Sequence, residues 1–419
     1  MLSGIKTYRM NVSKTSLWNV IGVIGFTSMT FFSSCSGSRK IVGNTPANVD
    51  LQNIHFSVEE APEWTALFKR TSGWFGGDGI FAIPQNGKDN VTVKSKTTIL
   101  FSDTMIGEIE NGKPKEGYKM IHNSVAILNG AEPQEKNVSF YWDKKPDGSP
   151  ESLFIPNTPN TKEGEYYWLG DGFVNQELND NTYIFGYRIR DIKEANSFGF
   201  EQVGTTLIIL PKGSQSPYKD QKQMDMPLFV PSSDMSSPLS FGSGIFVNAK
   251  KADAKKPDGF VYVYGVRGKE KNLVAARVKP EDFEKIDKWS FWDGSNWVSD
   301  INKVANLTDH VSNELSVSEL ADGRYALFFQ IDGISSKIGM RLGASPVGPF
   351  GPIIEVYDCK DDLKETKDIF AYNAKAHPAL SQPGELLVSY NVNSFNFFSD
   401  IKTYPNLYRP RFIRVKFSK

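Results

Sequence analysis

Thr98-Ile-Leu-Phe101-Ser-Asp103 is the first of five apolar runs that each end in an aromatic residue. The others are Tyr183-Ile-Phe185-Gly-Tyr187, Tyr262-Val-Tyr264-Gly-Val266, Leu327-Phe-Phe329-Gln-Ile331 and Val388-Ser-Tyr390-Asn-Val392. Four runs carry an apolar or aromatic residue two places after the key aromatic. The first carries Asp103. A carboxylate in a core-like slot is costly to bury unless it has a partner or a task. The repeat therefore speaks to the fold, and its exception to chemistry.

Each run is preceded by a segment that starts polar and continues apolar: Asp78-Gly-Ile-Phe, Asp171-Gly-Phe-Val, Ser243-Gly-Ile-Phe, Glu314-Leu-Ser-Val and His377-Pro-Ala-Leu. Turn-forming links such as Lys256-Pro-Asp-Gly259, Ala321-Asp-Gly323 and Ser381-Gln-Pro-Gly384 join several pairs. A third strand follows each run, for example Ser124-Val-Ala-Ile-Leu128 and Phe412-Ile-Arg-Val-Lys-Phe417. A fourth is visible in several repeats, as in Val138-Ser-Phe-Tyr-Trp142. Five such units predict a five-bladed β-propeller with four-stranded blades. The last repeat ends on its third strand, so Ile54-His-Phe-Ser-Val58 is expected to supply the fourth and close the ring. A pair of β-sandwiches is the rival architecture, and it does not predict this strand order five times over. First strands line a propeller's channel, so Asp78, Asp171, Ser243, Glu314 and His377 are expected to converge, one from each blade.

Composition agrees with an all-β chain. Among 419 residues there are 35 Gly and 23 Pro, and 13% are aromatic. Lys+Arg and Asp+Glu are both 48, so no global field favours nucleic acid or an anionic membrane. Lys6, Arg9 and Lys14 precede a short apolar stretch, Trp18 to Phe32, and then Ser33-Ser-Cys35. This resembles a bacterial lipoprotein signal, with Phe32 where an aliphatic residue is usual. The expected organisation is a signal peptide over 1–34, a lipidated tether over 35–50 with Cys35 as the anchor, and one propeller domain over 51–419. The expected location is the bacterial cell envelope, with membrane attachment through lipid alone and the protein a monomer. With Cys35 lipidated, Cys359 has no disulfide partner and reads as incidental.

Glycoside hydrolysis needs two carboxyl groups flanking the bond. Asp78, in Gly76-Gly-Asp78-Gly79, and Asp103 are the leading candidates, with Glu314 as a third catalytic acid. The competing readings are a turn-stabilising Asp78, an Asp103 capping a strand end, and a Glu314 held in an inter-blade salt bridge. His122 and His377 are candidates for binding substrate or tuning a carboxylate, although a lone histidine is as readily structural. Asp171, in Trp168-Leu-Gly-Asp171-Gly, could replace Glu314. Trp74 and Trp168 each precede a channel aspartate and could stack on sugar rings. The sequence contains no metal-binding pattern, phosphate loop or nucleophile elbow, so no cofactor is expected.

Gly73-Trp-Phe-Gly-Gly-Asp78-Gly followed by Thr98-Ile-Leu-Phe-Ser-Asp103-Thr104 resembles the domain of unknown function 4185 family. So do Asn313-Glu314-Leu-Ser-Val and Ala376-His-Pro-Ala-Leu with Pro383-Gly-Glu-Leu-Leu-Val-Ser-Tyr-Asn391. Some members of that family form glycoside hydrolase family 183, the endo-D-arabinanases. The resemblance implies a five-bladed propeller and an inverting mechanism using two aspartates, which match Asp78 and Asp103. The link between them, Ile83 to Lys96, is longer than in the compact family pattern and could reshape the cleft. The expected function is therefore an exported glycoside hydrolase acting on an arabinofuranose-containing polysaccharide. The alternatives are a non-catalytic carbohydrate-binding propeller and, third, a protein-interaction scaffold.

Overall fold

The computed structural model describes residues 49–89, 95–130, 132–192, 199–232 and 238–418. The expected signal peptide, Cys35 and nearly all of the tether lie outside the described residues.

The described chain is all-β, with two short helices, Pro62–Leu67 and Phe397–Asp400. Five principal antiparallel sheets follow one another. The first pairs β3 (Phe81–Pro84) with β4 (Thr97–Phe101), Ser124–Leu128 and Val138–Tyr141. The second runs Tyr166–Asn175, Asn181–Asp191, Phe200–Leu210, Lys222–Met226. The fourth runs Leu315–Glu319, Tyr325–Gln330, Lys337–Gly343, Ile354–Asp358. In the fifth, Ile369–Ala376, Glu385–Ser394 and Arg411–Phe417 are completed by β1 (Phe56–Glu60), with Phe56 opposite Phe417 and Glu60 opposite Ile413. The N-terminal segment thus covers what would otherwise be an open edge.

The four-strand expectation does not hold for the third sheet, which has six strands. Phe229–Val230 pairs outside the inner strand Leu239–Asn248, and Trp297–Val298 adds a hairpin beyond Ser290–Trp292. An Asx turn makes that hairpin: Asp293 Oδ1 accepts from the Ser295 and Asn296 amides. The first repeat departs further. Its inner and second strands are both interrupted, so β2 (Ser72–Gly77) pairs with β5 (Thr104–Glu110) in a separate small sheet.

The key aromatics explain the repeat. Phe101, Phe185, Tyr264, Phe329 and Tyr390 are all buried, and each belongs to an apolar cluster packed between neighbouring sheets. Burying one such ring fully contributes roughly 1.5–3 kcal/mol. Trp289 is likewise buried, with Nε1 donating to the Phe283 carbonyl at 3.1 Å. Cys359 is buried where a 3-10 turn begins. Successive inner strands lie against one another, and all five line a cavity of about 860 Å³.

Candidate functional site

In the second, third and fifth repeats the second strand runs unbroken through the slot after the key aromatic, at Tyr187, Val266 and Val392. In the first repeat β4 stops at Phe101 and β5 starts at Thr104, leaving Ser102 and Asp103 between strands. The inner strand breaks opposite, between β2 and β3, at Asp78-Gly79-Ile80. The Ser102 amide donates to the Asp78 carbonyl at 2.8 Å, and the Asp78 amide to the Asp103 carbonyl at 3.3 Å. One paired break thus frees both aspartates from the ladder and sets them face to face.

Their surroundings differ. Asp78 Oδ2 accepts from the Tyr372 hydroxyl at 2.6 Å, while Oδ1 is sealed from solvent with no hydrogen-bond partner among the described residues, and the nearby Tyr408 hydroxyl also favours the carboxylate. Burial, and then the charge of Asp103, push the Asp78 carboxyl up to about 8; the Tyr372 hydrogen bond opposes this, and Glu314 adds to the rise. Asp103 Oδ1 lies 3.0 Å from His122 Nδ1 and accepts from Trp168 Nε1 at 3.0 Å. Among the described residues no hydrogen bond reaches its Oδ2. The His122 ring stacks on Tyr166, with centroids 3.7 Å apart, and the Trp168 ring meets Phe200 edge-on at 4.5 Å. His122 and Trp168 are therefore at the site, Trp168 as a donor to Asp103.

Glycine at position 76 lets a fifth-sheet loop close on Asp78. A Cβ there would collide with the Tyr408 carbonyl, which instead accepts from the Gly77 amide at 2.8 Å. Tyr408 is buried and Tyr372 half-buried beside Asp78, and that carboxyl helps to hold both phenols protonated.

Four predicted site residues do something else. Trp74 is not a sugar platform, because it is buried and stacked on Phe140 at 4.7 Å inside the cluster between the fifth and first sheets. Asp171 is tied down by backbone amides, Gly172 to Oδ1 at 2.8 Å and Ile245 to Oδ2 at 2.7 Å, which fastens the second sheet to the third. Burial pushes it up to about 7. Glu314 takes the salt-bridge reading: Oε2 lies 2.5 Å from Lys375 Nζ, and Asn373 Nδ2 donates to Oε1 at 2.7 Å. Burial raises its pKa and Lys375 counters the rise. His377 is buried, its Nε2 2.7 Å from Ser389 Oγ, and burial drives it down to about 3, a structural neutral imidazole.

Of the five inner-strand polar residues, Asp171 and His377 line the cavity, while the charge of Glu314 is felt at Asp78. The cavity receives Asp171, Lys375 and His377 but neither Asp78 nor Asp103, so the aspartate pair lies outside it. Sequence reasoning missed Tyr372, Tyr408 and Lys375. The inner strand shifts register between Tyr372 and Lys375, with Asn373 at φ +60°, as the inner strands of the second and third sheets do between Leu169 and Gly172 and between Phe241 and Gly244. Among the described residues no group of three or more His, Cys, Asp or Glu is placed to hold a metal ion.

A family model described as domain of unknown function DUF5005 matches residues 62–417. The chain belongs to the DUF5005 family. This is a different family from the one its motifs resemble. No curated protein matches the sequence. Among solved structures, this DUF5005 chain is similar to a protein from Bacteroides ovatus ATCC 8483 provisionally described as a hydrolase. The TM-score is 0.66 at 19% identity, covering 85% of this chain and 90% of that one. A GH62 hydrolase in complex with xylotriose gives a TM-score of 0.43 at 11% identity, covering 83% and 92%. An exo-beta-1,3-galactanase from Phanerochaete chrysosporium gives 0.42 at 10%, covering 85% and 64%. At such identities the Bacteroides likeness speaks to fold alone, and the two weaker ones carry no argument.

Proposed function

We propose that the chain is an exported glycoside hydrolase built as a five-bladed β-propeller, which inverts the configuration at an arabinofuranose-type linkage. The observation that carries this reading is the Asp78–Asp103 pair at the shared break. Asp78, raised to about 8, holds its proton at neutral pH, while Asp103 presents an oxygen with no hydrogen-bond partner among the described residues. A carboxyl that keeps its proton suits the general acid, and a second carboxyl beside it suits the base. In the proposed step Asp78 gives its proton to the departing glycosidic oxygen as the bond to the anomeric carbon breaks. Water attacks that carbon from the opposite face, and its proton passes to Asp103. Proton exchange with solvent restores both groups. His122 and Trp168 hold Asp103 in place from its other oxygen. The motif resemblance at Asp78, Asp103 and Glu314 supports the furanose substrate, and the Cys35 signal supports attachment to the cell envelope.

The test is release of sugar by the purified chain from a panel of arabinans and other furanose polymers, repeated with Asp78→Asn and Asp103→Asn. Release by wild type and none by either variant is expected. Full activity in both variants overturns the reading.

A binding-only role is favoured by one observation, the sealing of Asp78 Oδ1 from solvent. Acid catalysis requires that atom to become accessible when glycan displaces its cover. Wild-type chain that binds a polymer tightly without releasing sugar would establish the binding role.

A further inference from the structure

One face of the fifth sheet runs outward from Asp78 with rings and amides interleaved. Side chains alternate along a strand, so Tyr372 and Phe370 share a face of Ile369–Ala376. Tyr372 pairs with Asn391 and Phe370 with Asn393 on the neighbouring strand, which places those amides on the same face. The next step is Phe395, whose amide donates to the Asp368 carbonyl at 3.0 Å. The Phe370 ring lies 5.4 Å from Tyr372 and 4.5 Å from Phe395. Asn391 Nδ2 donates to the Gly77 carbonyl at 3.4 Å beside Asp78, and its Oδ1 is buried without a partner. At the outer end Phe395 is 62% exposed, and Ile334, bridged to Tyr372, is 43% exposed.

Large rings left in water on one side of a candidate site ask for an occupant. Asn393 is half-buried on this face, its Nδ2 3.5 Å from the Tyr372 hydroxyl and its Oδ1 accepting from the Ser394 amide at 2.7 Å, which leaves one N–H and one lone pair for a polar occupant. A sugar chain meets both needs, since its C–H faces lie on rings and its hydroxyls pair with planar amides. On the other side of the aspartates stand His122, Tyr166 and Trp168.

We infer that the face from Tyr372 through Phe370 to Phe395 is a glycan subsite, so that the substrate is a chain of several sugars continuing past the cleavage point on the fifth-sheet side. This rests on the glycoside hydrolase reading for the position of the cleaved bond, but binding can be tested apart from hydrolysis.

The experiment is electrophoresis through native gels containing soluble arabinan, arabinogalactan or xylan, with wild type, Phe395→Ala, Phe370→Ala and Asp103→Asn. Retardation of wild type by at least one polymer is expected. Phe395→Ala should weaken it on the order of five- to tenfold, because the ring contact is lost, and Asp103→Asn should keep it. Phe395→Ala retarded like wild type overturns the subsite and leaves the hydrolase reading standing. Retardation that Phe395→Ala weakens, with no sugar released by wild type, sustains the subsite and removes the hydrolase. Wild type unretarded by every polymer, or self-association that Phe395→Ala abolishes, overturns the subsite in favour of a protein contact.

Discussion

Asp78 and Asp103 face each other across a break shared by two antiparallel strands, with the Asp78 amide donating to the Asp103 carbonyl at 3.3 Å. The backbone bonds hold the residues together while neither side chain is committed to the ladder. Removing one carboxyl should leave this frame intact. Asp103→Asn is expected to lower kcat by at least 10²-fold, the range of general acid–base catalysis, while Tm moves little. Steady-state kinetics beside a melting curve measure both.

The raised Asp78 carboxyl sets the alkaline limb of activity. Rate should fall as pH rises through about 8, where the acid loses its proton. The Tyr372 hydroxyl favours the carboxylate form, so Tyr372→Phe should move that limb to higher pH. A kcat/KM profile from pH 5 to 10 decides, and an unmoved limb separates Tyr372 from the proton of Asp78.

The same group links stability to pH. With its folded value near 8, above the ordinary 3.8, the folded state holds the proton more tightly than the unfolded state. Stability from Asp78 is therefore full below about 3.8 and lost as pH rises towards 8. Asp78→Asn cannot ionise. Its Tm relative to wild type should climb between pH 5 and pH 8; a constant difference would contradict the shift.

Lys375 is buried between sheets, with Nζ 2.5 Å from Glu314 and 4.6 Å from the centre of the Phe81 ring. Removing one member of a buried pair strands the other charge. Lys375→Met should cost about 3–5 kcal/mol, and Glu314→Gln/Lys375→Met should recover part of it. Urea unfolding of the two singles and the double gives the coupling.

Trp74 and Trp168 look alike in sequence, each ahead of an aspartate, yet they should respond oppositely. Trp74→Ala empties a core position and should destabilise by about 3–5 kcal/mol. Trp168→Phe keeps a ring but removes the Nε1 donor to Asp103, so kcat should drop with little change in Tm.

Period-two apolar runs and buried aromatics are local patterns, so the all-β class, the repeating strand order and the exceptional place of Asp103 are legible in the chain. The sequence also pointed to Asp78, because Gly76 and Gly77 mark a close backbone approach, and to the N-terminal strand beside Arg411–Phe417, because a terminal strand needs a partner. What it left open depends on residues far apart in the chain. Tyr372 reaches Asp78 from another sheet, Lys375 answers Glu314, and the Ile245 amide takes up Asp171. The tertiary structure alone decided that Trp74 is core while Trp168 serves Asp103, and that one repeat carries six strands. The physical reason is that burial and hydrogen bonding between sheets select partners by position in space, and no spacing along the chain encodes that choice.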